Sequence, residues 1–311
     1  MNVLSLFDGM SCGQIALERA GIHVDNYYSS EIDKYAIKVT QANYPSTIQL
    51  GDINDWQSWE LPKIDLVIGG SPCQGLSFAG KQLAFDDPRS KLFFKFVDIL
   101  GTCKPKYYLL ENVRMKKESL DVISTYLGEP MCINSALVSA QNRVRYYWSN
   151  IYFDPPEDRG ILLKDIVLGG FVDRKKSYCI DACYYKGGNL KQYFEKSRRQ
   201  LIFIDKEKMR NIVYKKNYIQ WDTSGKGHGS QDHRSYYLDT KHGSLPNARA
   251  GTKEKVFLGE NIVRKLAPIE CERLQTVPDN YTKHVSDSQR YKMLGNGWTV
   301  DVISHIFKWL L

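Results

Sequence analysis

Ile64-Asp65-Leu66-Val67-Ile68-Gly69-Gly70-Ser71-Pro72-Cys73-Gln74 is the stretch on which the fold turns. Its first five residues are mostly apolar and rich in β-branched side chains, and Gly and Pro bound them. Such a run reads as a buried strand of a parallel sheet. Gly69-Gly70 and Pro72 then end the strand and place Cys73 just past its carboxyl edge. Ligands of open α/β sheets sit at that edge. A thiol there can attack an electrophilic carbon if its surroundings favour the thiolate. The plain alternative is a small apolar cysteine packed under a loop. This stretch alone leaves the two readings even.

Outward from it, strand and helix patterns alternate. Strands are expected at Asn2 to Leu6, Asp25 to Ser30, Ser46 to Leu50 and Tyr107 to Glu111, and near Ile133 to Val138 and Arg145 to Asn150. Helices are expected at Ser11 to Ala20, Asp33 to Asn43, Ser90 to Leu100 and Lys116 to Leu127. This alternation specifies an α/β protein with a doubly wound, mostly parallel sheet. It fails after Pro155-Pro156, where strands shorten and loops such as Ser224-Gly225-Lys226-Gly227-His228-Gly229-Ser230 appear. A helix with proline at its start returns at Pro268, and an amphipathic helix ends the chain from Val300 to Leu310. Residues 1–154 and 262–311 are therefore expected to form one domain, with 155–261 as a smaller irregular insert.

The 311 residues are 42% hydrophobic, enough for a sizeable core, without an apolar run that spans a membrane. No signal peptide is visible, and the first strand follows Met1 at once, so no N-terminal module is expected. Seven mostly isolated cysteines suit reduced thiols in cytoplasm, and they lack the paired spacing of a zinc site, so no metal is expected. The net charge is +8, yet Phe171 to Glu260 alone holds 19 Lys+Arg against 10 Asp+Glu, a balance of +9. The remaining residues balance near −1. A confined basic excess is an electrostatic footprint for a polyanion, and interleaved tyrosines and glycines favour nucleic acid over a merely solvated surface.

Phe7-Asp8-Gly9-Met10-Ser11-Cys12-Gly13 joins the first strand to the first helix, where glycines let a ligand approach the backbone. Glu31 and Asp52 end the next two strands. An acid at the second strand end commonly holds ribose hydroxyls, and both residues also suit helix caps. Three successive strand ends of this kind describe a nucleoside pocket. Glu111 ends a hydrophobic strand, which is costly for a carboxylate unless it has a partner or a raised pKa. General acid work beside a reacting base explains it. Alternation in Gln141-Asn142-Arg143-Val144-Arg145 places Arg143 and Arg145 on one face, able to clamp a carboxylate or a carbonyl.

These residues bring the chain to a known family: it resembles the cytosine-C5 DNA methyltransferases. The matches run in the family's order through Phe7-Asp8-Gly9, Glu31, Asp52, Pro72-Cys73-Gln74, Glu111-Asn112-Val113 and Gln141 to Arg145. Beyond the variable segment come Arg264 with Glu270 and Arg273, and Gly295-Asn296-Gly297. Val67 to Cys73, Leu92-Phe93-Phe94 and Trp298 look most like the animal de novo class, whereas the missing N-terminal modules suit a bacterial or phage enzyme.

The resemblance implies a Rossmann-like fold that uses S-adenosylmethionine, with a small target-recognition domain at 155–261. It makes Cys73 the nucleophile on cytosine C6 and Glu111 the group on N3 and the 4-amino group. Arg145 holds the cytosine O2, and Arg143 orients Glu111 or favours the thiolate. Phe7, Asp8, Gly9, Glu31, Ile32, Asp52, Ile53, Pro72, Leu92, Asn296 and Trp298 are the implied cofactor residues. Double-stranded DNA is the implied partner, touched by Gln74, Ser77 and Lys81 after the cysteine and by Arg198, Arg199, Lys226, Arg234 and Arg249 in the insert. A base within a duplex cannot present C6 to a thiol, so the target must leave the stack. The loop from Gly75 to Lys91 is suited to close behind it. A cytoplasmic enzyme in a restriction-modification pair, with a cognate endonuclease, fits the bacterial form.

Gly297 stands where the family often has Ser. Rival readings are an RNA (tRNA) cytosine-5 methyltransferase and a catalytically inactive DNA-binding homologue. The Cys-Phe-Thr hallmark of the tRNA-modifying branch is not seen, and no essential residue is missing. A nicotinamide oxidoreductase is opposed by the missing GxGxxG.

Overall fold

Strand periodicity and the Gly and Pro breaks resolve into a seven-stranded sheet in the computed structural model, ordered β3-β2-β1-β4-β5-β7-β6. The structure describes residues 1–72, 92–188, 190–213, 244–246, 255–257 and 262–310. The strands are β1 Asn2–Leu6, β2 Asn26–Ser30, β3 Ile48–Gln49, β4 Leu66–Gly69, β5 Tyr107–Val113, β6 Met131–Asn134 and β7 Val144–Ser149. The first four helices are α1 Cys12–Arg19, α2 Lys34–Asn43, α3 Leu92–Cys103 and α4 Lys117–Leu127. Strands β1 to β5 pair in parallel, and β7 runs antiparallel to both β5 and β6. The order reverses between β1 and β4, which opens a crevice at their carboxyl ends.

Alternation along each strand divides the sheet's two faces. Val3, Leu66, Ile68 and Leu109 belong to a core shared with α1 and the helix Val300–Phe307. Leu4, Leu6, Val67 and Leu110 belong to a second core with Phe93, Phe96 and Ile99 of α3 and Ile123 of α4. Period-two side chains buried on both faces are what a doubly wound sheet requires. Each such side chain, fully buried, contributes about 1.5–3 kcal/mol of apolar transfer.

The expected strand from Ile133 to Val138 is corrected: β6 ends at Asn134, and Ser135–Leu137 form a 3-10 turn. The Asn134 side-chain oxygen accepts from Ala136 N and Arg143 N, both at 3.0 Å. An asparagine that bonds the backbone two residues on favours a turn over continued pairing.

The segment after Pro156 first packs back on the sheet domain. Leu163, Ile166, Ile180 and Tyr184 lie in the main core, and Ser177 forms a bridge with Gln141. A small separate core follows, made of Tyr193, Leu201, Phe203 and Ile262, where Leu201–Phe203 pairs antiparallel with Val263–Lys265.

The helix Asp287–Asn296 meets residues 181–182 without room for a side chain. A Cβ on Gly295 would lie 2.2 Å from the carbonyl carbon of Asp181 and 2.4 Å from Ala182 N. Gly295→Ala is therefore expected to lower stability by at least the ~1–3 kcal/mol typical of overpacking, because rigid backbone has to move. Urea denaturation of the two proteins measures it; equal midpoints would place the alanine without strain.

Candidate active site

At the end of β1 the chain turns through three left-handed residues, Phe7 (φ 58), Gly9 (φ 60) and Ser11 (φ 62). Asp8 holds that turn from beneath. Its carboxylate accepts from the hydroxyls of Ser5 (2.6 Å), Ser11 (2.7 Å), Tyr27 (2.8 Å) and Ser29 (2.9 Å). Loss of water raises its pKa, against the pull of those hydrogen bonds. Both Asp8 oxygens are thus occupied by the protein itself, so this residue shapes the turn, and its side chain is not directed at a ligand.

Glu31 completes the turn from β2. One oxygen accepts from Gly9 N at 2.7 Å, and the other accepts from Ile32 N and Asp33 N, each at 2.7 Å. A carboxylate has about four acceptor sites, so about one remains for a hydroxyl of a ligand. Beside it the Ile32 side chain is 73% exposed, while a Cβ on Gly9 or on Gly51 would meet nothing within 4 Å. An apolar flank, open space and acceptor oxygens fit a nucleoside such as that of S-adenosylmethionine. Asp52 caps the 3-10 turn Ile53–Ser58 through Asn54 N at 2.9 Å. The Ile53 side chain is buried in the second core. Leu92 opens α3, and Asn296 ends its helix exposed.

The second half of the site lies at the ends of β4 and β5. Glu111 is 7% exposed and pairs with Arg145, Oε1 to Nε at 3.0 Å. Register explains the pair: Glu111 stands opposite Tyr147 and Val113 opposite Arg145, so acid and base are diagonal neighbours. Oε2 of Glu111 has no hydrogen-bond partner among the described residues. It lies 3.4 Å from where a Cβ on Gly70 would be, and Trp298 Nε1 lies 2.9 Å from that same point. Gly70 is glycine because the carboxylate and the indole close over its backbone. Asn112 donates to the Ser71 hydroxyl at 3.0 Å and tethers the turn through Ser71 and Pro72 to β5.

Cys73, Gln74, Ser77 and Lys81, with the rest of the loop after the cysteine, lie outside the described residues, as do Lys226, His228, Arg234 and Arg249. Among the described cysteines, burial pushes the Cys12 thiol up to about 12 and raises Cys271 well above its ordinary value. Neither has the depressed pKa of an activated nucleophile.

Arg143 departs from its expected partner. Its guanidinium, 2% exposed, donates to the carbonyls of Ile180 (3.2 Å), Gly295 (3.3 Å) and Gly297 (2.8 Å) and lies 3.3 Å from Cys179 Sγ. These bonds join three separate parts of the chain behind the pocket and leave Glu111 to Arg145. Gln141 and Gln275 do similar work, and the role of Gln275 was not legible in the sequence. It donates to Leu294 O and Gly297 O and accepts from Thr299 Oγ1 at 2.9 Å. Periodicity marks Gln275 only as a polar residue at a helix end; its complete burial reveals the role. Gly297 itself fits closely, since a Cβ there would lie 2.9 Å from Met10 Cε and 3.4 Å from Cys12 Sγ. Arg198 pairs with Asp181 at 2.8 Å, and Arg199 donates to Gly187 O at 2.8 Å, so both brace the insert's base.

The family of C-5 cytosine-specific DNA methylases matches residues 1–125 and 140–311. The type II methyltransferase M1.ScrFI of Lactococcus lactis subsp. cremoris is 30% identical over 323 residues, covering 94% of this chain and 75% of that protein. M.HhaI of Haemophilus parahaemolyticus is 28% identical over 329 residues, covering 98% and 93%. A solved structure of Spodoptera frugiperda DNMT2 superposes with a TM-score of 0.66 at 19% identity, covering 99% of each chain. A putative DNA modification methyltransferase encoded within an E. coli prophage gives 0.60 at 20%, covering 100% of this chain and 98% of that one. At those identities the two structures speak for the fold alone. The family match, in contrast, takes in every stretch from Phe7 to Gly297 that carries the resemblance, so the chain belongs to the C-5 cytosine-specific DNA methylase family and is a DNA (cytosine-5) methyltransferase of Rossmann-like fold.

Proposed function

We propose that the protein methylates C5 of a cytosine rotated out of a short duplex site, by way of a covalent bond from Cys73 to C6. The observation that carries this reading is Glu111: nearly buried, anchored through one oxygen by Arg145, with the other oxygen left at the turn leading into Cys73. Cytosine C5 is a poor nucleophile. Addition of the Cys73 thiolate at C6 turns C5 into an enamine carbon, while Glu111 hydrogen-bonds the 4-amino group and supplies a proton at N3. S-adenosylmethionine supplies an electrophilic methyl group when bound. Loss of the C5 proton to a base then restores the double bond and expels the thiolate. Arg145 holds Glu111 in place and faces the cytosine O2. Phe7, Gly9, Glu31, Ile32, Asp52, Pro72, Leu92, Asn296 and Trp298 cradle the cofactor, Asp8 and Arg143 acting behind them. Residues 155–261 read the site, with Lys and Arg on phosphates and polar groups on base edges.

Incubation with tritiated S-adenosylmethionine on duplex DNA and on tRNA tests the substrate. Label in 5-methylcytosine of duplex DNA is expected. Label confined to tRNA would overturn the reading, and label in neither would favour an inactive homologue. Duplex carrying 5-fluorocytosine at the target should trap a denaturant-resistant adduct, because fluorine cannot leave as the proton does. Among the described residues no helix is long and apolar enough to cross a membrane. A cytoplasmic setting with a cognate restriction endonuclease is the natural context for this activity.

A further inference from the structure

Immediately beyond β5 the chain reads Arg114-Met115-Lys116-Lys117. Three cations in four residues stand out in the part of the chain outside 171–260, whose overall balance is near −1. All three are exposed, whereas Met115 between them is 4% exposed and belongs to the second core. The methionine pins the segment, so the charges sit on fixed backbone. None of their three side chains makes a hydrogen bond or an ion pair among the described residues.

Their place is the carboxyl edge of the sheet. Val113 stands opposite Arg145, and Arg114 follows it, roughly 10 Å along the chain from Glu111 at about 3.3 Å per residue. Arg114 is also near enough to Cys132 on β6 for its charge to pull on that thiol. The cations therefore flank the base pocket on the β6 side, away from the crevice between β1 and β4. Lys116 and Lys117 occupy the N-cap and first position of α4. The helix dipole disfavours cations there. A local conflict without an internal partner is characteristic of a functional surface.

We infer that Arg114, Lys116 and Lys117 grip the phosphates of the DNA strand that carries the target cytosine. This grip is separate from the recognition insert and from the loop after Cys73, and it rests on the DNA methyltransferase reading. Point charges on phosphates position a duplex without reading it, so this surface sets affinity and leaves sequence preference to the insert. A base leaving the stack strains the backbone most on either side of itself, which is where such a grip acts.

The test uses the full chain with Arg114→Gln, Lys116→Gln and Lys117→Gln, singly and together, titrated with duplex DNA over a range of KCl concentrations. Loss of each phosphate contact is expected to flatten the plot of log affinity against log salt by about 0.9. The triple variant should lose about 2.7 units of slope, and its KM for DNA should rise. Cofactor affinity and the sites found by bisulfite sequencing should match the wild type. Unchanged slope and affinity in the triple variant would overturn the inference, as would a changed site preference, which would put these residues on base edges. The single variants give the same reading if the triple variant folds poorly. Failure of the wild type to bind duplex DNA would instead overturn the DNA reading on which the inference rests.

Discussion

Cys73→Ala is expected to stop methyl transfer while leaving S-adenosylmethionine binding close to that of the wild type. In the mechanism proposed above the thiol acts on cytosine C6, whereas the proposed cofactor cradle draws on β1 to β3 and on Trp298. Neither buried cysteine can replace it: burial holds Cys12 and Cys271 protonated, and Cys12 lies beside Trp298, its thiol 3.8 Å from that carbonyl oxygen. Cys73→Ser should be nearly as inactive, since an alkoxide is far harder to form than a thiolate, whose ordinary thiol pKa is about 8.5. Single-turnover transfer of tritium, alongside calorimetric titration of the cofactor, separates the two effects. Residual turnover above background in the alanine variant would remove Cys73 from the mechanism.

Glu111→Gln is expected to slow the chemical step by about 10²–10⁴-fold, the usual contribution of a positioned acid or base. DNA affinity should change far less. The amide keeps the shape and still offers an oxygen to Arg145 Nε, but it cannot deliver the same proton. Glu111→Ala is a poorer experiment, because it strands the Arg145 guanidinium, 13% exposed, without its carboxylate. A fall of less than tenfold in the single-turnover rate of the glutamine variant would make Glu111 a structural partner of Arg145.

The sheet was legible because each strand carries its own local signal. β1, β4 and β5 are short apolar runs ended by polar or glycine residues, and the helices between them repeat with a helical period. Glu111 was legible for a similar reason: a carboxylate at the end of a buried strand contradicts its surroundings and demands a cause. Asp8 and Arg143 were harder. Sequence places both beside the ligand, but the direction of a side chain is decided by distant residues, Tyr27 and Ser29 for Asp8, Ile180 and Gly297 for Arg143. The docking of Leu163 to Tyr184 on the main core was hidden for the same reason, since short irregular segments carry no periodicity to show which surface they cover.

The clamp at Arg143 has a consequence for the order of synthesis. Its acceptors include Gly295 and Gly297, and Gln275 holds the same loop. The helix Val300–Phe307, which covers α1, comes later still. A nascent chain that has just released β7 from the ribosome owns all seven strands yet lacks the wall behind its pocket. Ile15 and Leu17 of α1, buried in the finished protein, lack the part of their cover that Val300–Phe307 supplies until that helix emerges. Contacts between α1 and Val300–Phe307 are far apart in sequence, and such long-range closures are slow. The wall behind the pocket therefore forms only after most of the sheet has been made, a stage at which partly exposed apolar surface favours aggregation.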